Sequence, residues 1–246
     1  MGFYRRFVVP RLTDLAMKQE MLRERRATLV PRAKGVVLEV GIGSGLNLPY
    51  YSGAVQRLYA VDPSPQLLAM ARRGARNARF AVDLACQSAE QLPFADASFD
   101  SAVMTWTLCS IPDPSAALRE IRRVLRPGAE LFFAEHGLSP EARVAAWQRR
   151  LTPLWRPFTG GCHLDRPIEA LIRSAGFDIA ELQNCYLKGP RPFTYMYEGS
   201  ARATCPGARC STSAGKSCSY RFTPFGITRA SRTSLMRCFT ARRVTR

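Results

Sequence analysis

The sequence predicts an α/β fold, with strands and helices alternating around a mostly parallel sheet. Two observations carry this reading. The apolar, β-branched run Val36-Val37-Leu38-Glu39-Val40 reads as a strand buried on both faces, and it gives way to Gly41, Gly43 and Gly45 at alternating positions. A second strand, Leu58 to Asp62, ends in a carboxylate 19 residues after Gly43, the separation at which Rossmann-like folds place an acid for ribose hydroxyls.

Glycine suits the turn after the first strand for two reasons. Such a turn needs backbone angles that other residues resist, and a Cβ would keep the backbone away from a bound ligand. A plain strand-to-helix turn also uses Gly-x-Gly, so the neighbours decide. Glu39 stands two residues before Gly41, where a carboxylate accepts bonds from an amine or hydroxyls. The dinucleotide fingerprint requires a further glycine where Leu46 stands, which argues against a pyrophosphate ligand.

Glu39-Val40-Gly41-Ile42-Gly43-Ser44-Gly45 resembles the first motif of the class I S-adenosylmethionine-dependent methyltransferases, type 11 included, in which an acidic residue precedes x-Gly-x-Gly-x-Gly. The resemblance implies a Rossmann-like, seven-stranded, mostly parallel sheet that ends in an antiparallel C-terminal hairpin. It implies S-adenosyl-L-methionine as cofactor, S-adenosyl-L-homocysteine as product, and no metal. The residues it assigns to the cofactor are Glu39, Gly41, Gly43, Gly45, Asn47, Asp62, Pro63, Ser88, Ala89, Glu90 and Thr105.

The elements follow in order. Residues 1–33 read as a short arm and a lid helix, with Leu12, Leu15, Ala16, Gln19 and Leu22 near helical spacing and Lys18, Arg23, Arg25 and Arg26 on the other positions. A solvated basic face is one reading of that helix; a surface that closes over substrate or touches acidic lipid is the other. After the glycine turn, a helix from Leu46 to Tyr51 is cut short by Pro49. Tyr50 and Tyr51 then lie near the turn, where an aromatic face stabilises a sulfonium cation by about 0.5 to 2 kcal/mol, packing being the alternative. Asp62-Pro63-Ser64-Pro65 starts the next helix, which Gln66 to Ala75 continues. Phe80 to Ala85 is the third strand and leads into Cys86-Gln87-Ser88-Ala89-Glu90-Gln91-Leu92-Pro93-Phe94. That segment resembles the one family members place around adenine, with Gln87-Ser88 where an acid is usual.

Phe99 to Met104 forms the fourth strand, and Thr105-Trp106-Thr107-Leu108-Cys109-Ser110 follows at its carboxyl end, where open α/β sheets bind ligands. Asp113 to Leu125 is a helix whose Arg119, Arg122, Arg123 and Arg126 read as solvated, and Arg126-Pro127-Gly128 stops it. Ala129 to Ala134 is the fifth strand, which ends in Glu135-His136. His136 is the candidate general base, with a hydrogen-bonding role as the alternative. The adjacent Cys162 and His163 cannot easily converge on one atom, so they suggest neither a metal site nor a nucleophile pair. Arg166 to Ala175 is a helix closed by Gly176, and Phe177 to Tyr186 and Phe193 to Tyr197 supply two final strands.

Thr107-Leu108-Cys109-Ser110, Glu135-His136, Trp155 and Gly161-Cys162-His163-Leu164 are together similar to the methyltransferase-like thiol S-methyltransferases and their bacterial relatives, over residues 3–201. This implies a small-molecule methyl acceptor, with a thiol as one candidate and a lipid or quinone N-, O- or C-acceptor as the alternative. Tyr50, Trp106, Cys109 and Trp155 are the expected substrate-pocket residues. Mammalian members begin with a hydrophobic anchor, and none is expected here, so a cytoplasmic location with optional peripheral membrane contact is expected. The oligomeric state is open.

Composition sets the remaining bounds. The net charge of +17 suggests nucleic acid, but residues 199–246 hold ten of the 36 Lys and Arg and none of the 19 acids. The remainder carries only +7, which leaves a basic nucleic-acid-binding protein as the rival from another class. The eight cysteines include no Cys-x-x-Cys and no apolar run approaches the ~20 residues that span a bilayer. Domain boundaries are expected at 1–33 for the arm and lid, 34–201 for the methyltransferase domain, and 202–246 for a disordered basic tail.

Overall fold

The computed structural model describes Tyr4 and residues 8–204 of the 246. The basic tail from 205 onward therefore lies outside the described residues. The expected sheet is present: seven strands in the order β3-β2-β1-β4-β5-β7-β6. These are β1 Gly35–Val40, β2 Val55–Asp62, β3 Ala81–Cys86, β4 Phe99–Thr105, β5 Leu125–His136, β6 Phe177–Tyr186 and β7 Tyr195–Ala203. β1 to β5 pair in parallel, and β7 runs antiparallel to both β5 and β6. The order reverses at β1, so the carboxyl ends of β1 and β4 flank the switch point at which open sheets bind ligands.

Strand alternation divides the core in two. Leu38, Val40, Ala102, Met104, Leu131 and Phe133 face one layer, where they meet Leu118 and Ile121. Val37, Val103 and Phe132 face the other, with Leu29, Val30, Leu58 and Leu68. Both faces are covered by apolar layers, which is why the central strands read as continuous apolar runs.

The helices are α1 Val9–Ala16, α2 Glu20–Leu29, α3 Pro65–Ala75, α4 Pro114–Val124, α5 Ala142–Trp155 and α6 Ile168–Ser174. α3 and α4 start as their sequences direct, with Ser64 accepting from the Leu67 N–H and Asp113 from the Ala116 N–H, each followed by proline. Among the described residues no helix is long and apolar enough to cross a membrane.

Several expectations need correction. The single N-terminal helix is two, broken where Gln19 turns extended at ψ 143. The helix expected from Leu46 to Tyr51 is only a 3-10 turn, Leu48–Tyr50, because Pro49 denies it an amide donor. β5 begins directly at Leu125, with a register shift that absorbs Pro127 and Gly128. β7 starts at Tyr195 and continues to Ala203, beyond the expected domain end at 201. Three of the four α4-region arginines are engaged rather than solvated. Arg123 donates to Glu120, Asp96 and the carbonyls of Leu92 and Phe94, Arg122 donates to the Thr204 carbonyl, and Arg126 pairs with Asp100.

Candidate functional site

The glycine turn after β1 holds left-handed backbone at all three glycines, with φ 73 at Gly41, 56 at Gly43 and 86 at Gly45. A Cβ on Gly41 would overlap the Thr107 side chain, and one on Gly45 would press on Leu48 and Ala71. Gly43 differs, because a Cβ there would meet nothing within 4 Å. Its bare backbone faces open space at the switch point.

Two buried carboxylates bracket that space. Glu39, 1% exposed at the end of β1, accepts from Asn47 Nδ2 at 2.8 Å and from the Tyr51 hydroxyl at 3.0 Å. Burial pushes its pKa up to about 7, against the pull of Tyr51, Asn47 and Arg26. Asn47 also donates to Thr105 Oγ1 at 3.0 Å, and its own oxygen accepts from Arg26 Nε at 3.1 Å. Asp62, at the end of β2, accepts from the Gly43 N–H at 2.9 Å and the Ser64 N–H at 2.8 Å. Burial raises its pKa, and those two backbone donors oppose the rise. Each carboxylate oxygen keeps a second acceptor direction for a ligand hydroxyl or amine. Exposed Pro63 follows Asp62, and the Gln87 N–H donates to the Asp62 carbonyl at 3.2 Å, which brings the 87–92 segment beside β2. Within that segment Ser88 Oγ donates to Glu90 at 2.8 Å, Glu90 also accepts from the Asp113 N–H, and Ala89 is buried.

A second group of residues lies at the carboxyl ends of β4 and β5. Trp106 is a non-glycine residue held at φ 51, fixed by its N–H to the Ala134 carbonyl at 2.8 Å, and strain of that kind concentrates at functional sites. Cys109 is buried in the turn that follows. His136 places Nε2 3.3 Å from Cys162 Sγ. The ligand atoms of Cys109, His136 and Cys162 all lie within 4.8 Å of one another. The Cys162 thiol, with His136 in support, holds the Cys109 pKa well below its ordinary value against the effect of burial. Burial lowers the His136 pKa, but the Cys109 charge prevails and the net direction is up. Glu135, fully buried beside it, accepts from the Thr107 N–H at 2.8 Å, and burial pushes its pKa up to about 8.

Two buried polar atoms without partners among the described residues, Glu135 Oε2 and His136 Nδ1, lie here, although native interiors satisfy nearly all such groups. Orphaned donors and acceptors at strand ends are what a ligand pocket leaves when described alone. With Gly43 open and both carboxylates in place, these residues fit an adenosyl ligand.

Of the expected site residues, Glu39, Gly43, Asn47, Asp62 and Thr105 converge at one end of the sheet, with Gly41 and Gly45 shaping their turn. Trp106, Cys109, His136 and Trp155 form the neighbouring group, with Trp155 against Phe193 at 4.8 Å between ring centroids. Tyr50 is drawn instead toward Arg23 on α2. Tyr51, expected as an aromatic face for the sulfonium or as packing, instead uses its hydroxyl to hold Glu39. Arg26 was expected on a basic helix face, read either as solvated or as closing over substrate. Arg26 is 3% exposed, bonds to Asn47 and to the Met17 carbonyl, and lies over the Trp106 ring at 4.7 Å.

Comparison with known proteins sharpens the picture. Residues 38–133 match the family described as "Methyltransferase domain". Thiol S-methyltransferase TMT1B of Homo sapiens is 30% identical over 186 residues, which cover 74% of this chain and 74% of the relative. The chain belongs to the class I S-adenosylmethionine-dependent methyltransferases. Other relatives of this methyltransferase include thiol S-methyltransferase TMT1B of Rattus norvegicus, 34% identical over 66% of each chain. Phosphatidylethanolamine N-methyltransferase of Cereibacter sphaeroides is 32% identical over 66% of this chain and 79% of its own. The chain thus spans about two thirds to four fifths of these relatives. A solved structure of Haemonchus contortus phosphoethanolamine N-methyltransferase 2, in complex with S-adenosylhomocysteine, shares the fold at a TM-score of 0.64 and 15% identity, over 83% of this chain and 60% of that one.

Proposed function

We propose that this methyltransferase transfers a methyl group from S-adenosylmethionine to the sulfur of a small-molecule thiol. The supporting observation is the lining beyond the glycine turn. Trp106, Cys109, His136, Trp155 and Cys162 present aromatic faces and polarisable sulfur, a wall suited to a soft, uncharged acceptor. The similarity to thiol S-methyltransferases points the same way.

When bound, the cofactor supplies an electrophilic methyl group and its leaving group in one molecule. The chain's own residues therefore bind, align and exclude water. Glu39 and Asp62 offer acceptors to the amine and hydroxyls of an adenosyl amino acid, and Gly43 lets the backbone approach it. Arg26 and Trp106 close one side, tied to Asn47. Alignment of nucleophile with methyl group can supply ~7 to 11 kcal/mol of the barrier, so no larger catalytic constellation is required. The acceptor thiol must lose its proton before it attacks, since the thiolate is the nucleophile.

A second reading is methylation of a lipid amine, favoured by the similarity to phosphatidylethanolamine N-methyltransferase. A transfer assay with radiolabelled methyl donor on small alkyl and aryl thiols, phosphatidylethanolamine and a hydroquinone separates them. Thioether formation is the expected result. Labelling of the amine or the hydroquinone with no thioether rejects the thiol reading.

A further inference from the structure

The geometry points to a Cys2His site for a soft divalent cation of the zinc class, formed by Cys109, His136 and Cys162, with its fourth position open to the acceptor sulfur. Among the described residues this is the only group of three or more potential metal ligands whose donor atoms converge. It deepens the thiol reading above and rests on it only for the identity of the fourth ligand.

Three features support the site. The first is distance. Zinc holds thiolate at about 2.3 Å and imidazole at about 2.0 Å, so sulfur and nitrogen on one tetrahedral centre stand about 3.5 Å apart. Cys162 Sγ and His136 Nε2 are 3.3 Å apart, and all three donors fall within 4.8 Å. The second is donor type. Two sulfurs and one imidazole favour zinc over magnesium or calcium, which prefer oxygen. Three protein ligands rather than four is the count that catalytic zinc sites use, with one position left for water or substrate.

The third is the way the fold delivers these side chains. Cys109 lies in the turn after β4, His136 ends β5, and Cys162 lies in the loop after α5, so three separate connections converge. The His163 N–H donates to the Cys109 carbonyl at 2.8 Å, which fastens the Cys162 loop to the Cys109 turn. Arg166 donates to the neighbouring Leu108 carbonyl. Gly161, at φ 99, gives the loop the bend that directs Cys162 inward. His163 itself faces Asp165 rather than the cluster, at 3.8 Å. The adjacent Cys-His pair is therefore not the ligand pair; residues 26 and 27 positions apart are.

The site explains how a thiol becomes reactive without a dedicated base. An acceptor R–SH that takes the open position forms a sulfur–metal bond and loses its proton to solvent. A remaining sulfur lone pair then forms the S–CH3 bond as the donor's C–S bond breaks. The neutral thioether is a weaker ligand than thiolate, so product leaves. His136 acts here as a ligand and not as the general base.

The test uses the full chain, purified without chelators from zinc-supplemented medium, with metal measured by mass spectrometry. About one zinc per chain is expected, falling roughly ten-fold or more in Cys109→Ser, Cys162→Ser and His136→Asn. Calorimetry with S-adenosylhomocysteine verifies that each variant is folded. Because a variant can fail to fold, wild-type protein reconstituted with cobalt(II) provides an independent reading. A sulfur-to-cobalt charge-transfer band is expected, and a small alkyl thiol should perturb the visible bands. Wild-type protein that holds no zinc and shows no such band overturns the site, as does zinc retained undiminished in folded Cys109→Ser and Cys162→Ser. A chain that binds zinc through these residues yet methylates no thiol rejects the acceptor reading and leaves the site standing. Thiol methylation by a metal-free chain does the reverse.

Discussion

Gly41 and Gly43 stand two residues apart in one turn, yet different forces hold them. Gly41 is a packing requirement: at φ 73 and against Thr107, an added methyl group is strained and overlaps its neighbour. Gly41→Ala is expected to cost about 2 kcal/mol or more, read as a lowered denaturation midpoint. An unchanged midpoint would show that the turn relaxes freely. Glu39 belongs to the same scale. Its pKa is raised from 4.5 to about 7, so the folded state binds its proton more tightly than the unfolded state. The stability this provides is complete below about pH 4.5 and is lost as pH rises through about 7, a change on the order of a few kcal/mol. Ligand-free Glu39→Gln should therefore lose less stability than wild type between those limits, followed by urea denaturation against pH. Parallel curves for the two proteins would remove Glu39 as the cause. Both residues were legible in the sequence because glycine conformation and a carboxylate at a strand end are local facts. Arg26 was not. Its burial depends on Asn47 and Trp106, which the chain brings to it from 21 and 80 positions away.

At the scale of elements, α2 is fastened to the site rather than resting on it. Arg26 connects it to Asn47 and Trp106, while Arg25 donates to Glu198 at 2.8 Å on β7. Arg26→Ala removes two hydrogen bonds from a buried guanidinium and uncovers the Trp106 ring. The expected loss is about 2 to 4 kcal/mol, together with weaker cofactor binding, checked by thermal denaturation and calorimetry on one preparation. If binding persists at wild-type strength, α2 does not close the site. The parallel strands were easy to read because each is an apolar run ended by turn residues. α5 was missed for an equally physical reason. Its buried face includes Gln148 and Thr152, so no apolar period marks it. Gln148 accepts from the Ser139 N–H at 2.8 Å and donates to the carbonyls of Gly137 and Pro192, contacts that only the folded chain reveals. The cysteine cluster escaped for the same reason, since its members come from three connections with no shared local spacing.

Over the whole molecule, the last described residue closes the domain. Thr204 donates through its backbone N–H and its hydroxyl to the Gly176 carbonyl, and its own carbonyl accepts from Arg122. We propose that the basic segment beyond it does no catalytic work. Truncation after Thr204 should leave S-adenosylhomocysteine affinity within about two-fold of the full chain, and remove any salt-sensitive binding to nucleic acid. Loss of cofactor affinity on truncation would reject that division of labour. Cofactor binding by the whole molecule depends on the adenosyl ligand lying across the glycine turn between Glu39 and Asp62. The most direct measurement is a calorimetric titration of S-adenosylhomocysteine into the wild-type chain and into Gly43→Asn. Asparagine tolerates the left-handed backbone that Gly43 holds at φ 56, and a Cβ there meets no protein atom, so its side chain should enter the space assigned to the ligand. Binding of about one equivalent by wild type, weakened at least roughly ten-fold in a variant that remains folded, is the predicted result. Equal affinity in the two proteins, or none in the wild type, would contradict it.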